Sequence, residues 1–235
     1  MSNQSYFILG TDTDCGKTYV TCQLVDYFKQ NNQRVLAIKP ISSGGIEDVE
    51  SLNRHNEKKP DESLFWRFKN PISPHLASAE EGVTLSVSAI ASVCQKFQTN
   101  ESDNDLLPSP ACGRRVGDEG ERGTGILLIE GAGGLMVPLN EHETWVEFLL
   151  QTKIPVILVV GMRLGCLNHA LLTQAVLNMH GIQCEGWIAN CIDPEMQALS
   201  ENIATLARLL TFRHLATLPY NGRISKSRFS FTINR

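Results

Sequence analysis

The amino-acid sequence predicts a single α/β domain built on a doubly wound parallel sheet. The chain opens with a short apolar run, a polar loop, a helical pattern and a second apolar run. Apolar runs and helical patterns then alternate along the rest of the chain. Its 235 residues are 42% hydrophobic and 20% charged, which is an ordinary composition for one globular domain of this length.

The first half of the chain supplies a strand–helix–strand unit. Residues 6–9 form an apolar run that predicts a buried strand, and helical spacing of apolar residues predicts a helix over 17–30. A second buried strand is predicted over 34–39, ending at Pro40, and is followed by a flexible turn at 42–45. The helical pattern at 85–97 predicts another helix. A crossover of this kind favours a parallel sheet.

The second half continues the alternation. Strands are predicted over 126–130, 155–160, 186–190 and 215–218, and helices over 144–151 and 167–179. A further helix is predicted to start at Asp193 and Pro194, with the aspartate as N-cap and the proline in the first turn. Residues 98–125 are rich in glycine and charge, so we expect a mobile insertion within the one domain that spans 1–235. Such a segment is either a tolerated surface insertion or a binding segment for a partner.

Charge and cysteine content exclude several classes of protein. The net charge of −4 gives no basic field for nucleic acid. Every charge-free apolar stretch is far shorter than the roughly 20 residues that span a bilayer, and the first residues do not resemble a signal peptide. The seven cysteines are scattered and form no CxxC pair, so we expect reduced thiols, no zinc site and a cytoplasmic location.

A phosphate-binding loop is predicted between the first strand and the first helix. Gly16, Lys17 and Thr18 open the helix, where backbone amides and the helix dipole favour an anion. Lys17 suits the β- and γ-phosphates of a nucleotide, and the Thr18 hydroxyl suits Mg²⁺. The strict P-loop pattern requires glycine at position 11, whereas this chain has Thr11 preceded by Gly10. The alternative is a helix start that binds no ligand.

Other residues of this loop are small or acidic. Thr13, Asp14 and Cys15 lie between the two glycines. Cys15 is interpreted either as a small side chain that fills the loop or as a reactive thiol at a helix N-terminus.

Polar residues also follow the second strand. Lys39 ends it, at the edge of the sheet where open α/β folds bind their ligands, so it is a candidate for an anionic substrate. Ser43 lies in the turn that comes next. Asp48 is a candidate metal ligand, although its acidic neighbours Glu47 and Glu50 prevent a choice from spacing alone.

Two later strands end in polar residues. Glu130 ends an apolar strand, which is the usual place for the carboxylate on the Mg²⁺ side of a P-loop protein, and glycines after it allow a ligand to approach the backbone. Asn190 ends another strand, where its amide has both a donor and an acceptor to read the edge of a base.

Several long motifs in a fixed order resemble the dethiobiotin synthetase family. They are GTDTDCGKT (10–18), IKPISSG (38–44), SPHLASAEEG (73–82), IEGAGGLMVPL (129–139), PVILVVGMRLGCLNHALLT (155–173) and GWIAN (186–190). The resemblance covers roughly residues 5 to 220 and implies a homodimer with a P-loop NTPase-like fold. It also implies an ATP- and Mg²⁺-dependent cyclo-ligase of biotin synthesis. Such an enzyme converts 7,8-diaminononanoate and CO₂ to dethiobiotin through a carbamate and a carbamic-phosphoric mixed anhydride.

The resemblance implies a role for each site residue. Lys17 and Thr13 contact phosphate, Lys39 holds the carbamate, and these three are the catalytic residues. Thr18, Asp48 and Glu130 surround Mg²⁺. The substrate-binding set is Ser43, Gly134, Gly165 and Asn168, of which the last two reach across the dimer interface. The nucleotide-binding set is Asp14, Cys15, Gly16, Lys17, Thr18, Asp48, Glu130, Gly131, Ala132, Gly133, Asn190, Pro219 and Tyr220.

The chain also departs from the family's pattern. Position 14 is Asp where relatives often have Glu, and the region after Pro219 is short and divergent, which affects the expected adenine contacts. Two other functions remain open. One is a different P-loop enzyme, such as an amidoligase or a partition ATPase, although partition ATPases have lysine where this chain has Asp12. The other is a non-catalytic nucleotide-binding module, which does not require Lys17, Lys39 and Glu130 together.

Overall fold

The computed structural model describes residues 4–98 and 125–224. The helices and strands follow one another along the chain as β1 (Gln4–Gly10), α1 (Lys17–Gln30), β2 (Arg34–Ile38), β3 (Ile41–Ser43), α2 (Glu47–His55), β4 (Trp66–Phe68), α3 (Pro74–Glu80), α4 (Val87–Gln98), β5 (Gly125–Gly134), α5 (Trp145–Thr152), β6 (Val156–Gly161), α6 (Cys166–Met179), β7 (Cys184–Asn190), α7 (Leu199–Leu209) and β8 (His214–Leu218).

Six strands form one parallel sheet in the order β2-β5-β1-β6-β7-β8. β1 lies in the middle, between β5 and β6, and its C-terminal residue Gly10 leads into the phosphate-binding loop. The strand order reverses on either side of β1, and ligands of open α/β sheets bind at such a reversal. The topology therefore places the loop and the ends of β2 and β5 at one edge of the sheet.

Helices cover both faces of the sheet, which confirms the doubly wound fold predicted from the sequence. Successive residues of β1 face opposite ways, as in any strand. Phe7 belongs to a core with the buried residues of α4, α5, α6 and α7, whereas Ile8 belongs to a core with those of α1 and α2. Because both faces of the sheet are buried, the sequences of the central strands are continuous apolar runs and do not alternate between apolar and polar residues.

A second, two-stranded parallel sheet joins β3 to β4, and the sequence did not predict it. Ser42 and Ser43 were expected in a flexible turn, but they belong to β3, where Ser42 pairs with Arg67 and Ser43 with Phe68. The turn prediction was wrong at these two residues because a three-residue strand carries almost no periodicity of its own. Its stability comes from pairing with a segment more than twenty residues away.

The helix predicted to start at Asp193 was wrong in its starting point, since α7 begins at Leu199. The Asp193 carboxylate instead accepts a hydrogen bond from the backbone N–H of Glu195 at 2.9 Å, which forms a local turn. Aspartate followed by proline suits a turn as well as a helix N-terminus. Ala198 then takes a left-handed conformation (φ 52°) immediately before α7, so the turn and the helix are separate elements.

Apart from its end residues Gln98 and Gly125, the expected insertion at 98–125 lies outside the described residues. The six cysteines in the described part of the chain are free thiols. Within those same residues, none of the helices has the length and apolar character needed to cross a membrane.

Candidate functional site

The phosphate-binding loop connects Gly10 to Gly16, the residue that precedes α1. Gly16 has a left-handed backbone (φ 81°), and no side chain among the described residues caps the N-terminus of the helix. Within this part of the chain, the N–H groups of the first turn therefore have no capping side chain, and these are the groups that an anion satisfies at a helix N-terminus. Lys17 is buried at the same turn, where its Nζ donates to the carbonyl oxygen of Asp12 at 3.0 Å.

Asn190 packs directly against this loop. Its Nδ2 donates to the carbonyl oxygen of Cys15 at 3.0 Å. A Cβ atom at Gly16 would lie 2.1 Å from that same Nδ2, so only glycine fits there without displacing the asparagine. The end of β7 therefore holds the phosphate-binding loop in place, and the Asn190 side chain is 175 positions away from its acceptor in the chain.

Cys15 fills the interior of the loop. It is buried, and a Cβ at Gly161 would lie 2.8 Å from the Cys15 Cα. A Cβ at Gly10 would lie 2.5 Å from the Cys15 Sγ. Of the two interpretations that the sequence left open, this packing favours a small side chain that fills the loop over a reactive thiol.

A lysine–carboxylate cluster lies next to the loop. The Lys39 Nζ is 2.9 Å from the Glu130 Oε1 and also forms an ion pair with Asp48. The Thr18 hydroxyl donates to the same Glu130 oxygen at 2.6 Å. Glu130 is fully buried, whereas the Asp48 side chain is 52% exposed. The end of β2, the middle of β5 and the first turns of α1 and α2 thus meet at one point. The expectation that Glu130 ends its strand was wrong, because β5 continues to Gly134, which still pairs with Gly10 of β1.

The charges of this cluster stabilise one another. Burial by itself would lower the pKa of Lys39, but the Glu130 and Asp48 carboxylates hold that pKa above its ordinary value. Burial likewise would raise the pKa of Asp48, but the attraction of Lys39 and hydrogen bonds from Lys39 and Thr18 hold it below its ordinary value. At neutral pH the cluster therefore presents a protonated amine beside an ionised carboxylate.

The donor set at this point fits Mg²⁺. The Glu130 Oε2 is buried and has no hydrogen-bond partner within the described residues. Two carboxylates and the Thr18 hydroxyl supply hard oxygen ligands, while phosphate oxygens and water commonly complete the coordination of Mg²⁺. Residues 4–98 and 125–224 hold no group of three or more His, Cys, Asp or Glu that could bind a metal without such additional ligands.

A cavity of about 880 Å³ opens above these residues, at the carboxyl ends of β1, β2 and β5. The structure brings eleven of the site residues expected from the sequence into its lining: Thr13, Asp14, Gly16, Lys17, Thr18, Lys39, Ser43, Asp48, Glu130, Ala132 and Gly133. The ambiguity among the three acids of 47–50 is also reduced, since Asp48 is the one paired with Lys39.

Two of the expected glycines, Gly131 and Gly134, are not part of the cavity lining. A Cβ at Gly131 would lie 2.6 Å from the ring of Phe7, so this glycine allows β5 to pass over the core. Gly134 pairs with Gly10 in the sheet. Between them, the Ala132 carbonyl accepts a hydrogen bond from the Trp145 indole at 2.8 Å, which fixes the strand end that follows Glu130.

The remaining expected residues lie outside the cavity lining. Gly165 and Asn168 are exposed at the start of α6. Pro219 and Tyr220 follow β8, whose last residue Leu218 pairs with Asn190. The loop after them is joined to α1 by a hydrogen bond from the Tyr19 hydroxyl to the carbonyl of Gly222. These residues therefore flank the phosphate-binding loop on the side away from Lys39.

Sequence reasoning missed the apolar wall of the cavity. This wall consists of Pro71, Ile72, Pro74, Leu76 and Val137. Pro71, Ile72 and Val137 lie in loops, and Pro74 and Leu76 lie at the start of α3. Isolated apolar side chains carry no chemical signature, so nothing in their type distinguished them from surface residues. Pro74 at the first position of α3 was the available signal for that helix.

Most of the chain matches known proteins. A family model described as an AAA domain matches residues 4–228. The ATP-dependent dethiobiotin synthetase of Legionella pneumophila (strain Corby) is 46% identical over 228 residues, which cover 94% of this chain and 95% of that protein. The ATP-dependent dethiobiotin synthetase of Francisella tularensis subsp. tularensis (strain WY96-3418) is 34% identical over 227 residues, 93% of this chain and 91% of that protein.

Solved structures resemble the fold at much lower identity. A chain of the MinC:MinD cell division protein complex of Aquifex aeolicus superposes with a TM-score of 0.55 and 11% identity, over 93% of this chain and 82% of that one. At this identity the likeness establishes the fold alone. The similarity to the synthetases, in contrast, extends over nearly the full length of both proteins. The chain therefore belongs to the ATP-dependent dethiobiotin synthetase family.

Proposed function

We propose that this chain uses ATP to carboxylate 7,8-diaminononanoate with CO₂ and to close the ureido ring of dethiobiotin. The observation that carries the proposal is the position of Lys39, paired with Glu130 and Asp48 in the same cavity as the phosphate-binding loop. That arrangement sets a positive charge where a carboxylated amine would meet a γ-phosphate. The 46% identity to a dethiobiotin synthetase supports the choice of reaction.

The proposed reaction has three steps. One amine of the substrate adds to CO₂ and loses a proton, which gives a carbamate. A carbamate oxygen then attacks the γ-phosphorus of ATP, so ADP leaves and a carbamic-phosphoric mixed anhydride forms. The second amine attacks the carbonyl carbon and loses a proton to solvent, the C–O bond breaks, and phosphate leaves with the former carbamate oxygen. Throughout, the protein's contribution is positioning and neutralisation of charge.

The phosphate-binding loop holds the polyphosphate in this proposal. Lys17 and Thr13 contact the transferred group, and the amides of Asp14, Cys15 and Gly16 line the loop. Lys17 is already buried at the helix N-terminus, where its charge adds to that of the helix dipole. Such an array stabilises the charge that spreads over the equatorial oxygens of a phosphoryl group during transfer.

Thr18, Asp48 and Glu130 would hold Mg²⁺. When bound, the ion would supply positive charge that offsets the charge of the phosphate groups. Its carboxylate ligands would be Asp48, which is half exposed, and the Glu130 Oε2, which has no hydrogen-bond partner among the described residues. The Lys39 ammonium lies between the two carboxylates and lines the same cavity, so its charge is held beside the proposed Mg²⁺ ligands.

Lys39 binds the carbamate and Ser43 binds the diamine end of the substrate in this proposal. Both residues line the cavity, one at the end of β2 and the other in β3. The backbone of Ala132 and Gly133 lines the cavity, and Gly131 and Gly134, which flank them in β5, complete the backbone segment proposed to lie along the substrate. At the other end of the site, Asn190, Pro219 and Tyr220 hold adenine, and the pairing of β7 with β8 supports their common placement.

The proposal includes a homodimer in which Gly165 and Asn168 of one protomer reach the substrate of its partner. Both residues are exposed. Leu164, two residues before α6, is 97% exposed, and Leu172 and Met179 within α6 are 59% and 73% exposed. A run of exposed apolar side chains is typical of an interface. A cytoplasmic location is also proposed, supported by the free cysteines of the described residues.

A coupled assay tests the proposal. Purified protein receives ATP, Mg²⁺, bicarbonate and 7,8-diaminononanoate, while phosphate release and product mass are followed. We expect diamine-dependent phosphate release and an equal amount of dethiobiotin. Phosphate release that does not depend on the diamine would favour another P-loop enzyme. Nucleotide binding with neither product would favour a binding module, and both outcomes would overturn the proposed reaction.

A further inference from the structure

Two aspartates lie inside the phosphate-binding loop, Asp12 and Asp14. A carboxylate in such a loop opposes the binding of a polyphosphate, because like charges a few ångströms apart repel by more than they would in bulk water. Asp12 is only partly exposed, with 42% of its side chain accessible, so solvent does not fully screen its charge. The loop therefore needs a counter-charge at Asp12 if it is to bind an anion well.

Arg163 supplies this counter-charge from a distant part of the chain. It lies between β6 and α6, and its Nη2 donates to the Asp12 Oδ2 at 2.7 Å. The ring of His169, in the first turn of α6, approaches the same oxygen at 3.7 Å. The other carboxylate oxygen, Oδ1, accepts the backbone N–H of Thr13 at 2.7 Å. Both oxygens of Asp12 are thus engaged, one by Arg163 and one by the loop itself.

The same residue also contacts the loop lysine. The Lys17 Nζ donates to the backbone carbonyl of Asp12 at 3.0 Å. A contact that holds Asp12 in place therefore also sets the position from which the Lys17 ammonium can reach a phosphate. Arg163 is connected to Lys17 through this one residue, although the two cations do not touch each other.

We infer that Arg163 is a positioning residue for nucleotide binding, which neutralises Asp12 and holds it so that the loop accepts the polyphosphate of ATP. This inference rests on the proposed function only in taking ATP as the ligand. Arg163 contacts no substrate in it and acts through Asp12. If Arg163 only joined α6 to the phosphate-binding loop, removing the charge of Asp12 would not restore the nucleotide affinity that is lost in an Arg163 variant.

A charge-rescue experiment separates the two roles. The dissociation constant of ADP with Mg²⁺ is measured by calorimetry for the wild type, Arg163→Met, Asp12→Asn and the double variant. The asparagine keeps an oxygen that can accept from Thr13 but carries no charge. We expect Arg163→Met to weaken binding about five- to tenfold, and the double variant to bind within about twofold of Asp12→Asn. The deficit of Arg163→Met should shrink as the salt concentration rises.

Arg208→Met is the matched control, since Arg208 is an exposed arginine in the last turn of α7, and it should leave ADP binding unchanged. An Arg163→Met affinity equal to that of the wild type would overturn the inference, as would a double variant that binds no better than Arg163→Met. If Arg163→Met fails to fold, Arg163→Gln replaces it in the same comparison. A wild type that binds no nucleotide would instead count against the proposed function.

Discussion

The Lys39 Nζ lies 2.9 Å from the Oε1 of Glu130, an oxygen that also accepts the Thr18 hydroxyl at 2.6 Å. One buried carboxylate thereby links the end of β2 to the first turn of α1. Breaking a buried pair by removing one partner leaves an uncompensated charge, so each member constrains the other. The chemistry proposed for this site depends on these contacts of Glu130 with Lys39 and Thr18.

Lys39→Ala should remove ring closure while leaving nucleotide binding in place, because in the proposed reaction Lys39 acts on the carbamate and Lys17 holds the phosphates. Loss of one positioned charge of this kind lowers kcat by about 100- to 1,000-fold. Dethiobiotin formation and ADP affinity are measured side by side. Lys96→Ala, at an exposed lysine of α4, is the control. Wild-type turnover in Lys39→Ala would exclude the assigned role.

Glu130→Gln should raise the Mg²⁺ concentration needed for half-maximal turnover by at least about tenfold, since it removes a proposed charged ligand of the ion but keeps the shape of the side chain. The measurement is a titration of turnover with Mg²⁺ at fixed ATP. Glu50→Gln, at an exposed acid of α2, serves as the comparison. An unchanged Mg²⁺ dependence in Glu130→Gln would mean that the ion binds elsewhere.

The contribution of Asp48 to stability should depend on pH in one direction. In the folded protein the pKa of the Asp48 carboxyl lies below its ordinary value. The ionised carboxylate therefore stabilises the fold fully at pH values above the ordinary pKa. This stabilisation is lost as the pH falls through the lowered pKa of the folded state. The difference in unfolding free energy between the wild type and Asp48→Asn should be constant near neutral pH and shrink in acid. Because Asp48 is half exposed, we expect less than about 1 kcal/mol at neutral pH. Denaturant unfolding at several pH values measures it, and a difference that grows in acid would contradict the account.

Gly16→Ala should destabilise the fold by about 1–3 kcal/mol and abolish nucleotide binding, because a methyl group would meet the amide of Asn190 in a left-handed backbone. Gly82→Ala is a close control: Gly82 also has a positive φ (67°), but a Cβ there meets nothing within 4 Å. Denaturant unfolding without nucleotide compares the two. Equal losses would show that backbone strain, and not the Asn190 contact, accounts for the effect.

Leu172→Asp should convert the expected dimer to a monomer, since it places a charge in the exposed apolar row of α6. Analytical ultracentrifugation gives the mass of each form. Leu209→Asp is the control, at an exposed leucine of α7. A wild type that is monomeric at all concentrations tested would remove the homodimer from the proposal.

The elements that the sequence predicted well have strong local signals. Helix α1 runs over Lys17–Gln30 as predicted, because the glycine–lysine start and the apolar spacing are both contained within it. The short β3–β4 sheet and the start of α7 were not predicted correctly, since one depends on a distant pairing and the other on the competition between a turn and a helix at Asp193.

The residues of the candidate site also differ in whether a local sequence signal predicts them. Sequence motifs were sufficient to propose Lys17, Thr18 and Glu130, because each lies in a short motif whose role in binding phosphate or Mg²⁺ has a physical explanation. Asp48 could not be separated from Glu47 and Glu50 until the fold placed it beside Lys39. The contact of Arg163 with Asp12 joins residues 151 positions apart, and a local sequence pattern cannot predict such a contact.

The central claim is that one carbamate oxygen passes to phosphorus in the cavity before the ring closes. The most direct measurement supplies CO₂ labelled with ¹⁸O, together with ATP, Mg²⁺ and 7,8-diaminononanoate, and analyses phosphate and dethiobiotin by mass spectrometry. The account predicts that each molecule of dethiobiotin is matched by one phosphate that carries one ¹⁸O atom. Dethiobiotin formed with unlabelled phosphate would contradict the mixed anhydride, and labelled phosphate without dethiobiotin would contradict ring closure.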